Sequence, residues 1–203
     1  MPTFTIFTGV NGVGKSTLYN FLKSIGNSDL GVRICPDEIL EANNGNWKSH
    51  CDLFTSGQIT IEKINYCISN KISFNWETTS VGRIGEKFIE AAKANGFDVH
   101  LNFIGMDNVE ESIKRIQYRV QCGGHGVSED LVRSRHEYQS KGLAKALPLV
   151  DKALLFNNNE SIQVVGSYFD TKLYVFDNES RWMQELISQL DPQTIQNDSF
   201  DNE

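Results

Sequence analysis

The 203-residue chain has little of what several classes of protein require. It has no apolar run near the roughly 20 residues of a membrane helix, and its start, MPTFTIFTGV, has no basic segment before an apolar one, so we expect neither a membrane partner nor a signal peptide. None of its four cysteines forms a Cys-x-x-Cys pair, which argues against a zinc site and favours reduced thiols in the cytoplasm. The net charge of −7 argues against a nucleic-acid partner.

Short apolar segments alternate with segments of helical periodicity from the first residues onward. This alternation predicts a mostly parallel central sheet with helices on both faces, in one domain over residues 1–190, followed by an acidic, disordered tail over residues 191–203. The predicted strands are 3–8, 32–35, 72–77, 97–104, 153–156 and 173–176. The predicted helices are 15–25, a short one from residue 36, 47–70, 82–95, 107–121, 128–146 and 179–190.

Residues 9–17 read GVNGVGKST and fit the pattern G-x-x-x-x-G-K-[ST] between a strand and an amphipathic helix. Such a P-loop holds phosphates with its backbone N–H groups and the helix N-terminus, while Lys15 reaches the β- and γ-phosphates and the Ser16 hydroxyl binds Mg²⁺. The motif therefore predicts a P-loop NTPase three-layer sandwich that uses ATP and Mg²⁺. The predicted nucleotide-binding residues of the loop are Gly9, Asn11, Gly12, Val13, Gly14, Lys15, Ser16 and Thr17.

Other sequence features bear on the subclass of P-loop protein. The segment NKIS at 70–73 lacks the aspartate of a guanine-reading Asn-Lys-x-Asp motif, and TSGQ at 55–58 is a poor match to a transporter ATPase signature. Asp37 follows the second predicted strand and Glu77 ends the third, so both should lie at the carboxyl edge of the sheet, where ligands of such folds bind. A kinase uses a carboxylate there to accept or orient the acceptor hydroxyl.

Arginines supply the positive charge that phosphoryl transfer requires. Arg115 and Arg119 share one side of the predicted helix 107–121, off its apolar face. Arg133 and Arg135 lie about 200° apart around a helix, so they cannot both face one site, and the sequence leaves open which of them does.

These segments, in this order, resemble the zeta toxin family and its shorter relatives. The matching segments are GVNGVGKST (9–17), CPDEI (35–39), FNWETTSVG (74–82), RVQCGGHGVSEDLVRSR (119–135) and LPLVDKALLFNNN (147–159). The resemblance covers about residues 4 to 159. Family members are P-loop kinases that phosphorylate the 3′-hydroxyl of UDP-N-acetylglucosamine and are controlled by an antitoxin, which here would be separately encoded.

The resemblance implies roles for particular residues. Asp37 takes the place of the base that accepts the sugar hydroxyl proton, with Lys15, Arg119 and Arg133 as the other catalytic residues. Arg119 and Arg135 fall among the arginines that grip ATP phosphates. The predicted substrate-binding residues are Asp37, Glu77, Thr78 and Thr79, and Ser16 is the predicted metal ligand. His125 belongs to the glycine-rich turn, and a structural hydrogen bond within that turn is the favoured interpretation of it.

The chain also departs from the family pattern. Ser128 stands where many relatives have proline, and Lys141-Gly-Leu-Ala-Lys-Ala replaces a Ser-Leu-x-Asn stretch. The leading hypothesis is therefore a kinase that phosphorylates a hydroxyl of a small molecule, with a UDP-N-acetyl sugar as one candidate. An ATPase or nucleotide-controlled binding module without an acceptor is the alternative, and a kinase of nucleic-acid ends is a third, weaker hypothesis.

Overall fold

A computed structural model of the chain describes residues 1–26 and 30–197. Strands and helices alternate through the first three quarters of the chain. The strands are β1 (Thr3–Thr8), β2 (Val32–Ile34), β3 (Phe74–Thr78), β4 (Asp98–Gly105), β5 (Lys152–Asn157), β6 (Gln163–Phe169), β7 (Lys172–Val175) and β8 (Ile195–Asn197). The helices are α1 (Lys15–Ser24), α2 (Pro36–Ala42), α3 (His50–Ser69), α4 (Gly82–Ala94), α5 (Val109–Gln121), α6 (Glu129–Glu137), α7 (Gln139–Ala146) and α8 (Arg181–Ile187).

The described strands form a single sheet in the order β2-β3-β1-β4-β5-β6-β7-β8. The first five strands of that order run parallel, β6 runs antiparallel to both of its neighbours, and β8 is parallel to β7. The predicted fold class, a mostly parallel sheet with helices on both faces, is confirmed. Thr8 at the end of β1 lies beside Thr78 of β3 and Phe103 of β4, so the carboxyl ends of three strands meet at one edge.

The alternation of side chains along β1 divides the core between the two faces of the sheet. Phe4 and Ile6 belong to the larger apolar cluster, where the Phe4 ring stacks on Phe74 with centroids 4.3 Å apart. Phe7 points to the opposite face and joins a smaller cluster with Val13 and other residues around α1. The smaller cluster anchors the start of α1, and with it the loop that precedes this helix.

Three predictions about secondary structure are wrong. Strand β6 was not expected, and the helix predicted over 128–146 is two helices that meet at Tyr138. The tail predicted to be disordered forms a 3-10 turn at Pro192–Thr194 and then β8, because β7 offers it a parallel partner and Ile195 packs against the larger cluster. The remainder of the predicted tail, 198–203, lies outside the described residues.

The inward face of α3 is partly polar. Ile64 and Ile68 are buried, whereas Ile61 is 39% exposed, and Thr60 and Ser56 take inward positions. Their hydroxyls donate to the carbonyls of Ser56 and Pro36, respectively, which ties α3 to the start of α2. Within the described ranges, no helix is both long and apolar enough to cross a bilayer.

Candidate active site

The loop between β1 and α1 has a backbone that only glycine suits at several points. Gly9, Gly12 and Gly14 have φ angles of 139°, 78° and 106°. A Cβ at Gly9 would lie 2.3 Å from the carbonyl oxygen of Ile104, and one at Gly12 would lie 2.5 Å from that of Ser112. The glycine pattern is therefore fixed by close backbone packing against β4 and α5 as well as by the turn itself.

Lys15 is buried at the first position of α1, with 7% of the residue exposed. Its Nζ donates to the carbonyl oxygens of Gly9 and Val10 at 2.9 and 3.0 Å, so the side chain folds back over the loop. Burial lowers the pKa of the ammonium group, while Glu77 and Asp37 nearby favour its charged form.

Glu77 is held between a hydroxyl and a guanidinium group. The Ser16 hydroxyl donates to the two carboxylate oxygens at 3.2 and 3.0 Å, and Arg33 forms an ion pair with the same carboxylate. Arg33 is in turn fixed by the ring of Tyr19, which lies 3.9 Å from its guanidinium carbon, and by a bond to Asn75. Glu77 therefore faces the predicted metal ligand rather than a separate substrate pocket.

Asp37 lies in the first turn of α2 and contacts the Nε2 of His125. Burial raises the pKa of the Asp37 carboxyl, but the hydrogen bond and charge of His125, followed by the charges of Arg119 and Lys15, outweigh it and hold the pKa below its ordinary value. The carboxylate is therefore ionised at neutral pH and is able to accept a hydrogen bond.

Arg119 lies in the last turn of α5, near the Asp37 carboxylate. Its Nε donates to the carbonyl oxygen of His125 at 2.9 Å, while its Nη2 is buried and has no hydrogen-bond partner. An unpaired buried guanidinium nitrogen is costly, and an anion at this position would satisfy it.

The structure brings Arg135, but not Arg133, to the loop. The Nη1 of Arg135 donates to the Asn11 side-chain oxygen at 2.5 Å, while Arg133 is paired with Glu110 and lies 4.0 Å from Glu129 on the outside of α6. The structure therefore does not bring Arg133, predicted as a catalytic residue, to the loop, because its guanidinium is engaged with these exposed carboxylates.

Two cavities lie at this edge of the sheet. The first, here the P-loop cavity, has a volume of about 530 Å³. Its walls include Asn11, Gly12, Gly14, Lys15, Ser16, Thr17, Asp37, Glu77, Arg115 and Arg119. Of the other loop residues, Val13 is fully buried, and its carbonyl accepts a bond from Asn158 Nδ2 at 2.8 Å.

The second cavity, of about 430 Å³, is lined by Thr79, Arg83, Arg135, Lys141 and Lys145, among others. Thr78 lines neither cavity, and its hydroxyl donates to the Ser80 carbonyl at 2.9 Å. Of the predicted substrate contacts, Thr79 therefore lines this cavity, whereas the Thr78 hydroxyl is bonded within the turn.

Comparison with known proteins gives a relative and two similar structures. No protein-family model matches the chain. An uncharacterised protein of Haemophilus influenzae is 37% identical over 131 residues, which are 64% of this chain and 89% of that protein. The chain belongs to one family with that protein.

The similar structures establish the fold at lower identity. A structure from the PezAT toxin-antitoxin system of Streptococcus pneumoniae is 16% identical and superposes with a TM-score of 0.65 over 94% of this chain and 78% of its own. A candidate kinase from Chloroflexus aurantiacus is 17% identical, with a TM-score of 0.53 over 70% of this chain and 80% of its own. The chain therefore has the fold of zeta-toxin-like P-loop kinases, and the predicted fold is confirmed.

Reasoning from sequence missed some residues of the candidate site. Arg33 was not considered, although side chains alternate along a strand, so that Arg33 lies on the opposite face of the sheet from its neighbour Ile34. His125 was interpreted as part of a turn, and no local pattern relates it to Asp37, 88 residues away. Asn158 belongs to the LFNNN segment of the resemblance, but no role followed from its position there.

Proposed function

We propose that the protein is a Mg²⁺-dependent kinase that transfers the γ-phosphate of ATP to a hydroxyl group of a small molecule. The observation that carries the proposal is that the P-loop cavity holds Lys15, an ionised Asp37 and a buried, unpaired Arg119 nitrogen together. A protein that only bound phosphates would need no more than the loop. Transfer to a hydroxyl group also requires a carboxylate near the phosphates, and Asp37 supplies one.

The donor side of the site fits ATP with magnesium. Mg²⁺ in such sites keeps several waters and takes few protein oxygens, and the Ser16 hydroxyl with the adjacent Glu77 carboxylate supplies oxygen ligands of the right kind. When bound, the metal would neutralise charge on the phosphate oxygens. When ATP binds, the Lys15 ammonium group releases the carbonyl oxygens of the loop and donates to phosphate oxygens instead. The unpaired Nη2 of Arg119 donates to a further phosphate oxygen.

Asp37 acts on the acceptor. Its ionised carboxylate accepts the hydrogen bond of the acceptor hydroxyl and aims the oxygen at the γ-phosphorus. It receives the hydroxyl proton as the new oxygen–phosphorus bond forms, while the bond from the γ-phosphorus to the β–γ bridging oxygen breaks and ADP leaves. The cations around it keep the carboxylate in the form that does this at neutral pH.

The second cavity is the candidate acceptor pocket. Arg135 lines it and also bonds Asn11 of the P-loop cavity, so the two spaces are neighbours. Among the titratable side chains that line it, Arg83, Arg135, Lys141 and Lys145 face only one carboxylate, that of Glu86. This charge balance favours an acceptor that carries phosphate groups, which agrees with the nucleotide sugar implied by the family resemblance.

The proposal is tested by incubating the purified protein with γ-labelled ATP, Mg²⁺ and a panel of nucleotide sugars, including UDP-N-acetylglucosamine. We expect label on one member of the panel, and loss of that transfer by at least about 100-fold in Asp37→Asn, the scale of a general base. ATP binding should be nearly unchanged in this variant. Glu41→Gln, an exposed carboxylate on the same helix, is the matched control and should retain transfer.

Other outcomes would contradict parts of the proposal. Release of phosphate that no acceptor changes would favour an ATPase or a nucleotide-controlled binding module. Label on the 5′-hydroxyl of an oligonucleotide, added as a further arm, would favour a nucleic-acid end kinase. Transfer that survives Asp37→Asn would refute the assignment of the base.

Family resemblance and the similar structure from a toxin-antitoxin system also lead us to propose a toxin with a separately encoded antitoxin, acting in the cytoplasm, where ATP is available. Expression of the wild-type chain should then arrest growth of a bacterial host, while Asp37→Asn should not. Equal growth of both strains at equal protein levels would contradict the toxin role without bearing on the kinase activity.

A further inference from the structure

The glycine-rich turn at residues 122–126 is built directly onto Arg119. The Gly124 N–H donates to the Arg119 carbonyl at 2.9 Å, and the Arg119 Nε donates to the His125 carbonyl at 2.9 Å. A Cβ at Gly124 would lie 2.7 Å from Cγ of Arg119, and one at Gly126 would lie 2.8 Å from the ring of Trp47. The turn thus packs closely against Arg119 and Trp47, with no room for larger residues at either glycine.

These contacts determine where the imidazole of His125 lies. Its Nε2 reaches across to the Asp37 carboxylate on α2, and a quarter of the His125 side chain is exposed. A contact that only stabilised the turn would stay within the turn. This one joins the turn that follows α5, the helix of Arg119, to α2, the helix that carries the proposed base.

We propose that His125 is a positioning residue that couples occupation of the nucleotide site to the orientation of Asp37. When a phosphate engages the free Nη2 of Arg119, the guanidinium shifts or stiffens. The carbonyl and ring of His125 follow through the Nε–carbonyl bond, and the Asp37 carboxylate is held for the acceptor. The inference rests on the proposed function, because it assumes that Asp37 is the base and that Arg119 contacts ATP.

The coupling is tested without an acceptor by NMR of protein labelled with ¹⁵N at histidine. The chain has four histidines, and each is assigned from its own His→Gln variant. We expect Asp37→Asn to shift the ring signals of His125. His100, which forms a comparable pair with Asp98 at 2.7 Å, is the internal control and should not move. An unmoved His125 signal in Asp37→Asn would overturn the proposal.

The second arm adds a non-hydrolysable ATP analogue with Mg²⁺ at saturation. The His125 signals should shift in the wild-type chain and stay within the linewidth in Arg119→Lys, which keeps the positive charge but loses the guanidinium Nε that bonds the His125 carbonyl. An equal shift in both proteins would overturn the route through Arg119. Failure of the analogue to bind wild type would instead contradict the proposed function.

Turnover gives the final measurement, with the acceptor found in the panel. His125→Leu should lower kcat about 10- to 100-fold, the effect of a displaced catalytic group, with KM for ATP changed less than about threefold, and His125→Gln should recover most of the loss because its amide keeps a donor. His100→Leu is the matched control and should leave kcat unchanged. The melting temperature of each variant verifies folding.

The same assay separates a positioning role from a structural one. In a double variant with Asp37→Asn, adding His125→Leu should cost less than about twofold more, since the histidine acts through the carboxylate. If the loss in the double variant equalled the product of the two single losses, the coupling would be refuted. An unchanged kcat in His125→Leu beside an inactive Asp37→Asn would also refute it. Both results would leave the kinase assignment intact.

Discussion

Arg33 and Glu77 form an ion pair that is almost completely removed from water, with 12% and 8% of the side chains exposed. Arg133 and Glu110 form a pair of the same chemistry on the surface, with 41% and 54% exposed. Comparing Arg33→Met with Arg133→Met therefore isolates the effect of burial. Methionine keeps much of the apolar stem of arginine, so the lost charge dominates in both variants.

The expected magnitudes differ by several kcal/mol. In Arg33→Met, the buried Glu77 carboxylate keeps the Ser16 hydroxyl and the nearby Lys15 charge but loses its ion-pair partner, and breaking a buried ion pair costs about 3–5 kcal/mol. In Arg133→Met, water replaces the lost partner, so the loss of stability should be much smaller than in Arg33→Met. The double variant Arg33→Met/Glu77→Gln removes both charges of the pair, so it should be more stable than Arg33→Met if the cost comes from the unpaired Glu77 carboxylate.

Urea unfolding followed by circular dichroism measures these free energies. Equal m-values among the variants would show that they unfold from comparable native states. A loss below about 1 kcal/mol in Arg33→Met, or a double variant less stable than the single one, would refute the view that the buried Glu77 charge depends on Arg33.

Two further predictions concern stability. Gly105→Ala should lower the free energy of unfolding, measured by thermal unfolding, by about 1–3 kcal/mol, because its Cβ would lie 2.3 Å from the buried Trp182 ring. Gly57→Ala, in a helix with open space around it, should instead raise it by about 0.5–1 kcal/mol. Equal effects of the two substitutions would contradict this reasoning. Burial raises the pKa of Asp98, but the bond to His100 helps to hold it below the ordinary value, so its stabilisation is present above about pH 4 and is lost as pH falls through the lowered pKa. Asp98→Asn should therefore lower the free energy of unfolding by about 0.5–1 kcal/mol at pH 7 and less at pH 2.5, and an equal loss at both would refute the assignment.

The parts of the fold that the sequence predicted are those with a local cause. The bounds of β1 and α1 follow from an apolar run, a glycine-rich turn and helical spacing, all within 25 residues. Strand β6 has no such signal, because its residues depend on antiparallel pairing with β5 across a register shift at Leu155/Phe156. Strand β8 likewise exists through its parallel partner β7, and a polar segment such as 191–197 does not reveal that partner.

The residues of the candidate site also divide into those with a local sequence signal and those that depend on distant contacts. The P-loop residues were predictable because their mechanism lies within nine consecutive positions. Arg33, which reaches Glu77 over 44 residues, and His125, which reaches Asp37 over 88, were not assigned these contacts because each depends on which strands and helices are neighbours. The choice between Arg133 and Arg135 needed the rotation of α6 about its axis, which the 200° separation alone leaves open.

The long-range contacts share an arrangement that bears on mechanism. Arg33–Glu77 ties β2 to β3, His125–Asp37 ties the turn after α5 to α2, and Arg135–Asn11 ties α6 to the phosphate loop across 124 residues. Glu77, Asp37 and Arg135 are therefore each held by a contact to a second element as well as by their own helix or strand. If the proposed function holds, a change that moves one of these elements should disturb the proposed phosphate contacts and the proposed base together. Variants far from the loop that lower kcat are then expected among residues that pack α2 against α3 or α6 against α5.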